Sequence, residues 1–132
     1  MAGTMTLRNT IIAGNKRGTA NDDLANFEGG AINASYCLIQ SPGSALSGGT
    51  SSHNIVGVAP MLGALAFNGG PTQTMELLPG SKAINAGDPN FRPPPSTDQR
   101  GAGFARVSSG RLDIGAFEVQ QPTQTSHRGQ RP

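Results

Sequence analysis

The sequence predicts an all-β fold of stacked parallel strands, and three features of the chain support this. Short aliphatic segments recur after polar intervals, the 132 residues include 19 glycines and 10 prolines, and only 5% of the residues are aromatic. Turn-forming residues at this density leave no window for a long amphipathic helix. Because aromatic side chains are scarce, burial must come from scattered Ile, Leu and Val. We therefore expect short strands separated by many turns.

The recurring aliphatic segments predict one strand position in successive layers of a repeat. They are Thr10-Ile11-Ile12, Cys37-Leu38-Ile39 and Asn54-Ile55-Val56. The interval from Ile12 to Ile39 is longer than the interval from Ile39 to Val56. Equivalent side chains stacked in this way form the apolar ladders of a solenoid, and loops absorb the differences in length. We predict stacked parallel coils over residues 7–78, with three unrelated strands of a small sandwich as the alternative.

The composition divides the chain into three segments. We predict the last coils of a parallel β-helix over residues 1–59, a closing or cap region over 60–119 and a disordered tail over 120–132. Within the closing region, Ser81 and Gly87 stand where the ends of a short helical turn are expected. The tail has no apolar anchors.

Five ordered blocks in the second half resemble the closing sequence of a known family. They are Asn68-Gly69-Gly70-Pro71-Thr72, Leu77-Leu78-Pro79-Gly80-Ser81, Ala83-Ile84-Asn85-Ala86-Gly87-Asp88, Thr97-Asp98-Gln99-Arg100-Gly101 and Asp113-Ile114-Gly115-Ala116-Phe117-Glu118. The chain is similar in these blocks to bacterial surface and secreted proteins called choice-of-anchor Q proteins. This resemblance implies a right-handed parallel β-helix, here a short C-terminal fragment with an irregular cap. It also implies a secreted or cell-surface location, although the chain itself carries no signal peptide.

The resemblance implies a non-catalytic structural or adhesive module that terminates an extracellular bacterial β-helix protein. A carbohydrate or another cell-surface ligand is the candidate partner. The alternative is a fragment of a carbohydrate-active β-helix enzyme, such as a polysaccharide lyase or glycosidase, which needs carboxylates along one groove. The coils offer only Asp22, Asp23 and Glu28 for this purpose. Their spacing lacks the pattern of a calcium loop, which favours a solvated loop.

The carboxylates of the closing blocks are expected to be structural. The predicted structural residues are Asp98, Arg100, Asp113, Gly115 and Phe117. We expect Arg100 to be hydrogen-bonded to a carboxylate, with Asp113 as the preferred partner and Asp98 as the other candidate. Gly115 would allow a close backbone approach, and Phe117 would be buried.

No residues in the sequence predict a catalytic site, a cofactor or a metal. His53 and His127 have no partner at metal-ligand spacing, and Cys37 in an apolar segment is expected to be a small buried hydrophobe. Four arginines interleaved with Phe91 and Phe104 suggest a polyanion surface as an alternative: Arg92, Arg100, Arg106 and Arg111. The formal charge is only +2. We therefore expect no specific nucleic-acid partner, and no apolar stretch predicts a membrane span.

The N-terminal coil predicts self-association. The segment from Leu7 to Ile12 has the pattern of an ordinary interior strand, and solenoid ends normally carry caps. An uncapped first coil would present apolar side chains and unpaired backbone groups. We therefore expect the isolated chain to be marginally stable and to self-associate through this coil.

Overall fold

A computed structural model describes residues 3–25 and 29–122. The secondary structure of this part consists of short strands and a single 3₁₀ helix at Ala45–Gly48, so the all-β prediction is confirmed. The strands are β1 (Thr4–Arg8), β2 (Ile11–Ile12), β3 (Lys16–Arg17), β4 (Ala20–Asn21), β5 (Ala31–Ser35), β6 (Leu38–Ile39), β7 (Ser51–Ser52) and β8 (Ile55–Val56). None of the helices in these two ranges has the length and apolar character needed to cross a membrane.

Two small parallel sheets organise the first half of the chain, in the orders β1-β5-β7 and β2-β6-β8. In the second sheet Leu38 pairs with Ile11 on one side and with Ile55 on the other. The two unequal intervals between the aliphatic segments are therefore the sequence offsets at which successive strands of this sheet pair. The predicted parallel pairing of the three aliphatic segments is confirmed. A separate antiparallel pair joins β3 to β4.

The turn between the two sheets repeats in each layer. Asn9, Tyr36 and His53 occupy the same place in it, and their φ angles are 49°, 52° and 56°. Positive φ is uncommon outside glycine, so the same unusual conformation at these three positions marks them as equivalent. The rings of Tyr36 and His53 stack with centroids 4.7 Å apart. The Asn54 side chain accepts a hydrogen bond from the Cys37 N–H at 2.9 Å and ties adjacent layers together.

β2 and β6 each contribute to two separate cores, because successive side chains of a strand point to opposite faces. In β8 only Ile55 packs into a core, and Val56 is 49% exposed. Ile12 and Ile39 belong to an inner cluster, whose buried members are Leu24, Ile32, Ala34, Cys37, Ile39 and Ala45. Ile11, Leu38 and Ile55 belong to an outer cluster, whose buried members are Leu38, Leu77, Ala83 and Ile114. The outer face of the sheet is thus covered by side chains from the closing region.

The parallel pairing ends at Val56, so the prediction that residues 57–78 continue it is wrong. Residues 61–78 form an antiparallel hairpin instead, with bridges between Leu62 and Leu77 and between Ala66 and Thr74. The Asn68 amide closes the hairpin by donating to the Thr74 carbonyl at 2.9 Å. The Asn-Gly-Gly-Pro turn that starts at Asn68 reverses the chain, which a coil running in one direction does not allow.

The rest of the closing region is irregular. Residues 82–85 form a turn and not a helix. Ser81 begins this turn as predicted, since its hydroxyl accepts the Ala83 N–H at 3.2 Å and its carbonyl accepts the Ile84 N–H at 3.3 Å. Asn85, and not Gly87, has positive φ there, at 54°. At the far end the Gln121 N–H donates to the Ser108 hydroxyl at 2.8 Å. Gln121 of the predicted tail thus bonds to the closing region, and residues 123–132, the rest of that tail, lie outside the described residues.

Candidate functional site

Arg100 forms a buried ion pair with Asp98 in the closing region. The Arg100 Nη2 lies 2.7 Å from the Asp98 Oδ2, and the two side chains are 5% and 0% exposed. The prediction that Arg100 binds a carboxylate is confirmed, but the preferred partner, Asp113, is wrong. Because Asp98 lies only two residues before Arg100, its carboxylate also accepts the Arg100 backbone N–H at 2.8 Å. The local loop geometry thus selects the nearer carboxylate.

The Arg100 guanidinium lies between two aromatic rings. Its central carbon is 3.9 Å from the centre of the Phe104 ring and 3.7 Å from the centre of the Phe117 ring. A cation between two ring faces gains electrostatic attraction, most of all where water is excluded. Phe117 is half-buried, so the prediction that it is buried holds only in part. The guanidinium covers one face of its ring.

A second buried ion pair joins Arg106 to Glu118. The Arg106 Nη1 lies 3.2 Å from the Glu118 Oε2, and the Glu118 side chain is 0% exposed. Glu118 also accepts the backbone N–H groups of Asp113 at 2.8 Å and of Ser108 at 3.0 Å. The two pairs are linked, since the Arg100 Nη2 donates to the Glu118 carbonyl at 2.7 Å. We call Asp98, Arg100, Arg106, Asp113 and Glu118 the closing network.

Asp113 joins the closing network through backbone groups. Its Oδ1 accepts the Asn85 N–H at 2.6 Å, and its Oδ2 accepts the Val119 N–H at 2.7 Å. Both carboxylate oxygens are therefore used to hold two distant stretches of chain together. In the described residues every buried side-chain oxygen and nitrogen has a hydrogen-bond partner. A network in which each member is satisfied fixes one chain conformation, as a structural role requires.

The closing network is attached to the first turn of the stacked strands. The Gly115 N–H donates to the Asn9 carbonyl at 2.9 Å, and Gly115 has a φ of 107°. A Cβ at Gly115 would fall 2.9 Å from the Ile11 Cδ1, which agrees with the predicted close approach. Asp88 pairs with Arg8 at 3.0 Å on the same side. The last residues of the closing region thus contact the first layer of strands.

Burial raises the pKa of the Glu118 carboxyl above its ordinary value of 4.5. Hydrogen bonds from the N–H groups of Asp113 and Ser108 lower this pKa. The nearby Asp113 carboxylate raises it further, and the positive charge of Arg106 lowers it. The folded state then binds a proton at Glu118 more readily than the unfolded chain does. The stability contributed by this group is therefore present below its unfolded pKa and is lost as the pH rises through its folded pKa.

We expect Glu118→Gln to gain stability relative to the native chain as the pH rises, because glutamine stays neutral. The measurement is the unfolding free energy of both chains from about pH 4 to about pH 8. Glu76→Gln is the matched control, since Glu76 is exposed and its variant should follow the native chain throughout. A gap between the native chain and Glu118→Gln that stays constant across this range would contradict the prediction.

The segment with Asp22 and Asp23, predicted to be a solvated loop, buries Asp23. Asp23 accepts the backbone N–H groups of Asn15 at 2.8 Å and of Ser41 at 2.6 Å, so both of its oxygens are occupied. Asp22 pairs with Arg17 at 2.9 Å. Glu28 and His127 lie outside the described residues. Within the described ranges no three His, Cys, Asp or Glu side chains are close enough to hold a metal ion together.

The four arginines of the alternative polyanion surface do not share one free face. Arg100 and Arg106 are buried in the closing network. Arg111 donates to the Gly87 carbonyl at 2.7 Å, and Arg92 donates to the Phe91 carbonyl at 2.9 Å. Cys37 is completely buried, as predicted, and burial raises the pKa of its thiol, which disfavours the reactive thiolate.

Comparison of the chain with known proteins gives no family. No protein-family model matches it, and neither a curated protein nor a solved structure shows a significant match.

Proposed function

We propose that the chain is a non-catalytic structural or adhesive module that terminates a right-handed parallel β-helix of a bacterial secreted or cell-surface protein. The β-helix itself is part of the proposal. The parallel registers and the repeated turn at Asn9, Tyr36 and His53 support it. The resemblance of the five closing blocks to choice-of-anchor Q proteins supports the cell-surface setting.

The observation that carries the proposal is how the closing region uses its charged groups. Its side chains cover the outer face of the β2-β6-β8 sheet. Its buried carboxylates accept hydrogen bonds from other groups of the same chain. A general acid or base must be able to reach a substrate proton. Asp98, Asp113 and Glu118 are buried and bonded to arginines or backbone N–H groups, which favours a structural role over the carbohydrate-active alternative. A carbohydrate or another cell-surface ligand remains the proposed partner of the adhesive form.

Adding one layer tests the proposal. A chain in which a copy of residues 4–30 precedes Thr4 should stack the copy on β1 and β2. The copied segment has the length of one repeat, because Thr4 pairs with Ala31, the residue that directly follows it. We expect one cooperative unfolding transition with a steeper denaturant dependence, since more surface is buried in the folded state.

The matched control carries the same added residues in scrambled order. It should unfold with the denaturant dependence of the native chain, and a protease should remove the added segment. If the copy in its natural order is also removed while the rest stays intact, the chain does not end a stack of parallel layers.

A further inference from the structure

An open groove of about 620 Å³ lies beside the first layer of the β2-β6-β8 sheet. The first layer contributes Asn9, Thr10, Ile11 and Ala13. The hairpin contributes aliphatic side chains, which are Leu62, Leu65, Met75 and Leu77. The closing segment from Ile114 to Phe117 contributes the remaining side. Leu65 and Met75 are 58% and 45% exposed. Aliphatic side chains with this exposure are a feature of surfaces that bind other chains.

β2 is an edge strand of its sheet, and its backbone has a free side. The carbonyls of Thr10 and Ile12 accept hydrogen bonds from β6, from the Leu38 and Gln40 N–H groups at 3.0 Å each. In a parallel sheet alternate residues bond to opposite neighbours, so the Ile11 N–H and carbonyl point away from β6. Within the described chain no strand pairs with β2 on that side. An edge of this kind is a template for another strand.

The chemistry of the groove selects its ligand. None of the described residues that line it is charged, so a polyanion or an acidic sugar finds no counterion there. Free backbone groups beside aliphatic walls are the two elements of β-strand addition, in which main-chain bonds give affinity and side-chain pockets give specificity. Ile11, Leu38 and Ile55 already stack in register in this sheet. An added strand continues the same ladder and brings an aliphatic side chain next to Ile11.

We infer that the groove and the open edge of β2 together form an acceptor site for an extended polypeptide strand. The strand runs parallel to β2, bonds the Ile11 backbone and places an aliphatic side chain between Leu62, Leu65 and Met75. This inference deepens the proposed function, on which it rests, by naming the partner of the first layer.

A peptide that copies residues 30–41, with Cys37→Ser to prevent oxidation, tests the site on the full chain. We expect saturable binding by fluorescence anisotropy and slower hydrogen exchange of the Ile11 amide. The same peptide with Leu38→Asp should not bind, because its charge would enter an apolar groove. In the protein, Leu65→Asp should weaken binding about tenfold or more. Phe67→Asp is the matched control, since Phe67 is 71% exposed and lies outside the groove lining.

Three outcomes of the peptide titration would overturn the inference. They are absence of peptide binding, binding without protection of the Ile11 amide, and equal sensitivity to Leu65→Asp and Phe67→Asp. Protection of Ile11 that rises with protein concentration in the absence of peptide would make a second copy the occupant. That result would support the self-association expected from the sequence and would overturn the inference of a separate partner strand. If the peptide does not bind but the added layer folds, this site alone is rejected. If the added layer does not fold, the proposed function is rejected.

Discussion

Arg100→Ala should destabilise the protein by about 3–5 kcal/mol, because it leaves the fully buried Asp98 carboxylate without its counterion. The substitution also removes the bond from Arg100 to the Glu118 carbonyl and the cation between the Phe104 and Phe117 rings. Because both ion pairs share this part of the closing network, we expect the substitution to weaken both of them. A change of this size corresponds to a melting temperature lower by roughly 10 °C or more in a domain of this length.

Thermal and denaturant unfolding of the full chain measure this effect. Arg8→Ala is the matched control, because the Arg8 side chain is 63% exposed in its pair with Asp88 and surface pairs contribute about 0–1 kcal/mol. If Arg100→Ala does not fold, the double variant with Asp98→Ala decides the question. It should recover part of the lost stability, since it removes the uncompensated charge. An unchanged melting temperature for Arg100→Ala would instead favour a binding role for Arg100.

The strand pairing of the first half could be predicted because aliphatic residues mark the same strand position in every layer. Each layer carries an aliphatic pair, and the distances along the chain between Ile12, Ile39 and Val56 alone give the register. The same kind of pattern also predicted further parallel coils up to residue 78, where the structure has the antiparallel hairpin of residues 61–78. Alternating residues such as Thr74 and Leu77 suit a strand in either direction, and only the turn that starts at Asn68 fixes the antiparallel choice.

The closing network was predictable in kind but not in pairing. Buried arginine and carboxylate were expected from the blocks, yet Asp98 and Asp113 are both close enough in sequence to serve Arg100. Arg100 uses Asp98, whose carboxylate also accepts the Arg100 backbone N–H, whereas both oxygens of Asp113 accept the N–H groups of Asn85 and Val119. No spacing in the sequence indicates the bond between Asn85 and Asp113. Arg106 and Glu118 were missed as an ion pair because each has other neighbours of opposite charge along the chain.

The layers also depend on a glycine outside the recurring aliphatic segments, and Gly49→Ala should cost about 3 kcal/mol. Gly49 follows the 3₁₀ helix and has a φ of −135°, so backbone strain is not the cause. A Cβ there would fall 2.0 Å from the Ile32 carbonyl oxygen and 2.9 Å from the Ile32 nitrogen. These are backbone atoms of the central strand β5, which cannot move aside as a flexible side chain can. The chain at Gly49 must therefore move away from β5.

That displacement should separate β7 from β5, because Thr50 connects the two. Its carbonyl accepts the Ala34 N–H at 2.9 Å, and its N–H donates to the Asn33 side chain at 2.8 Å. We expect faster hydrogen exchange at Ala34 and a lower melting temperature for Gly49→Ala. Gly3→Ala is the matched control, since a Cβ there meets nothing within 4 Å and stability should change by less than about 0.5 kcal/mol. If the two variants melt together, close contact between Gly49 and β5 does not hold the third layer in place.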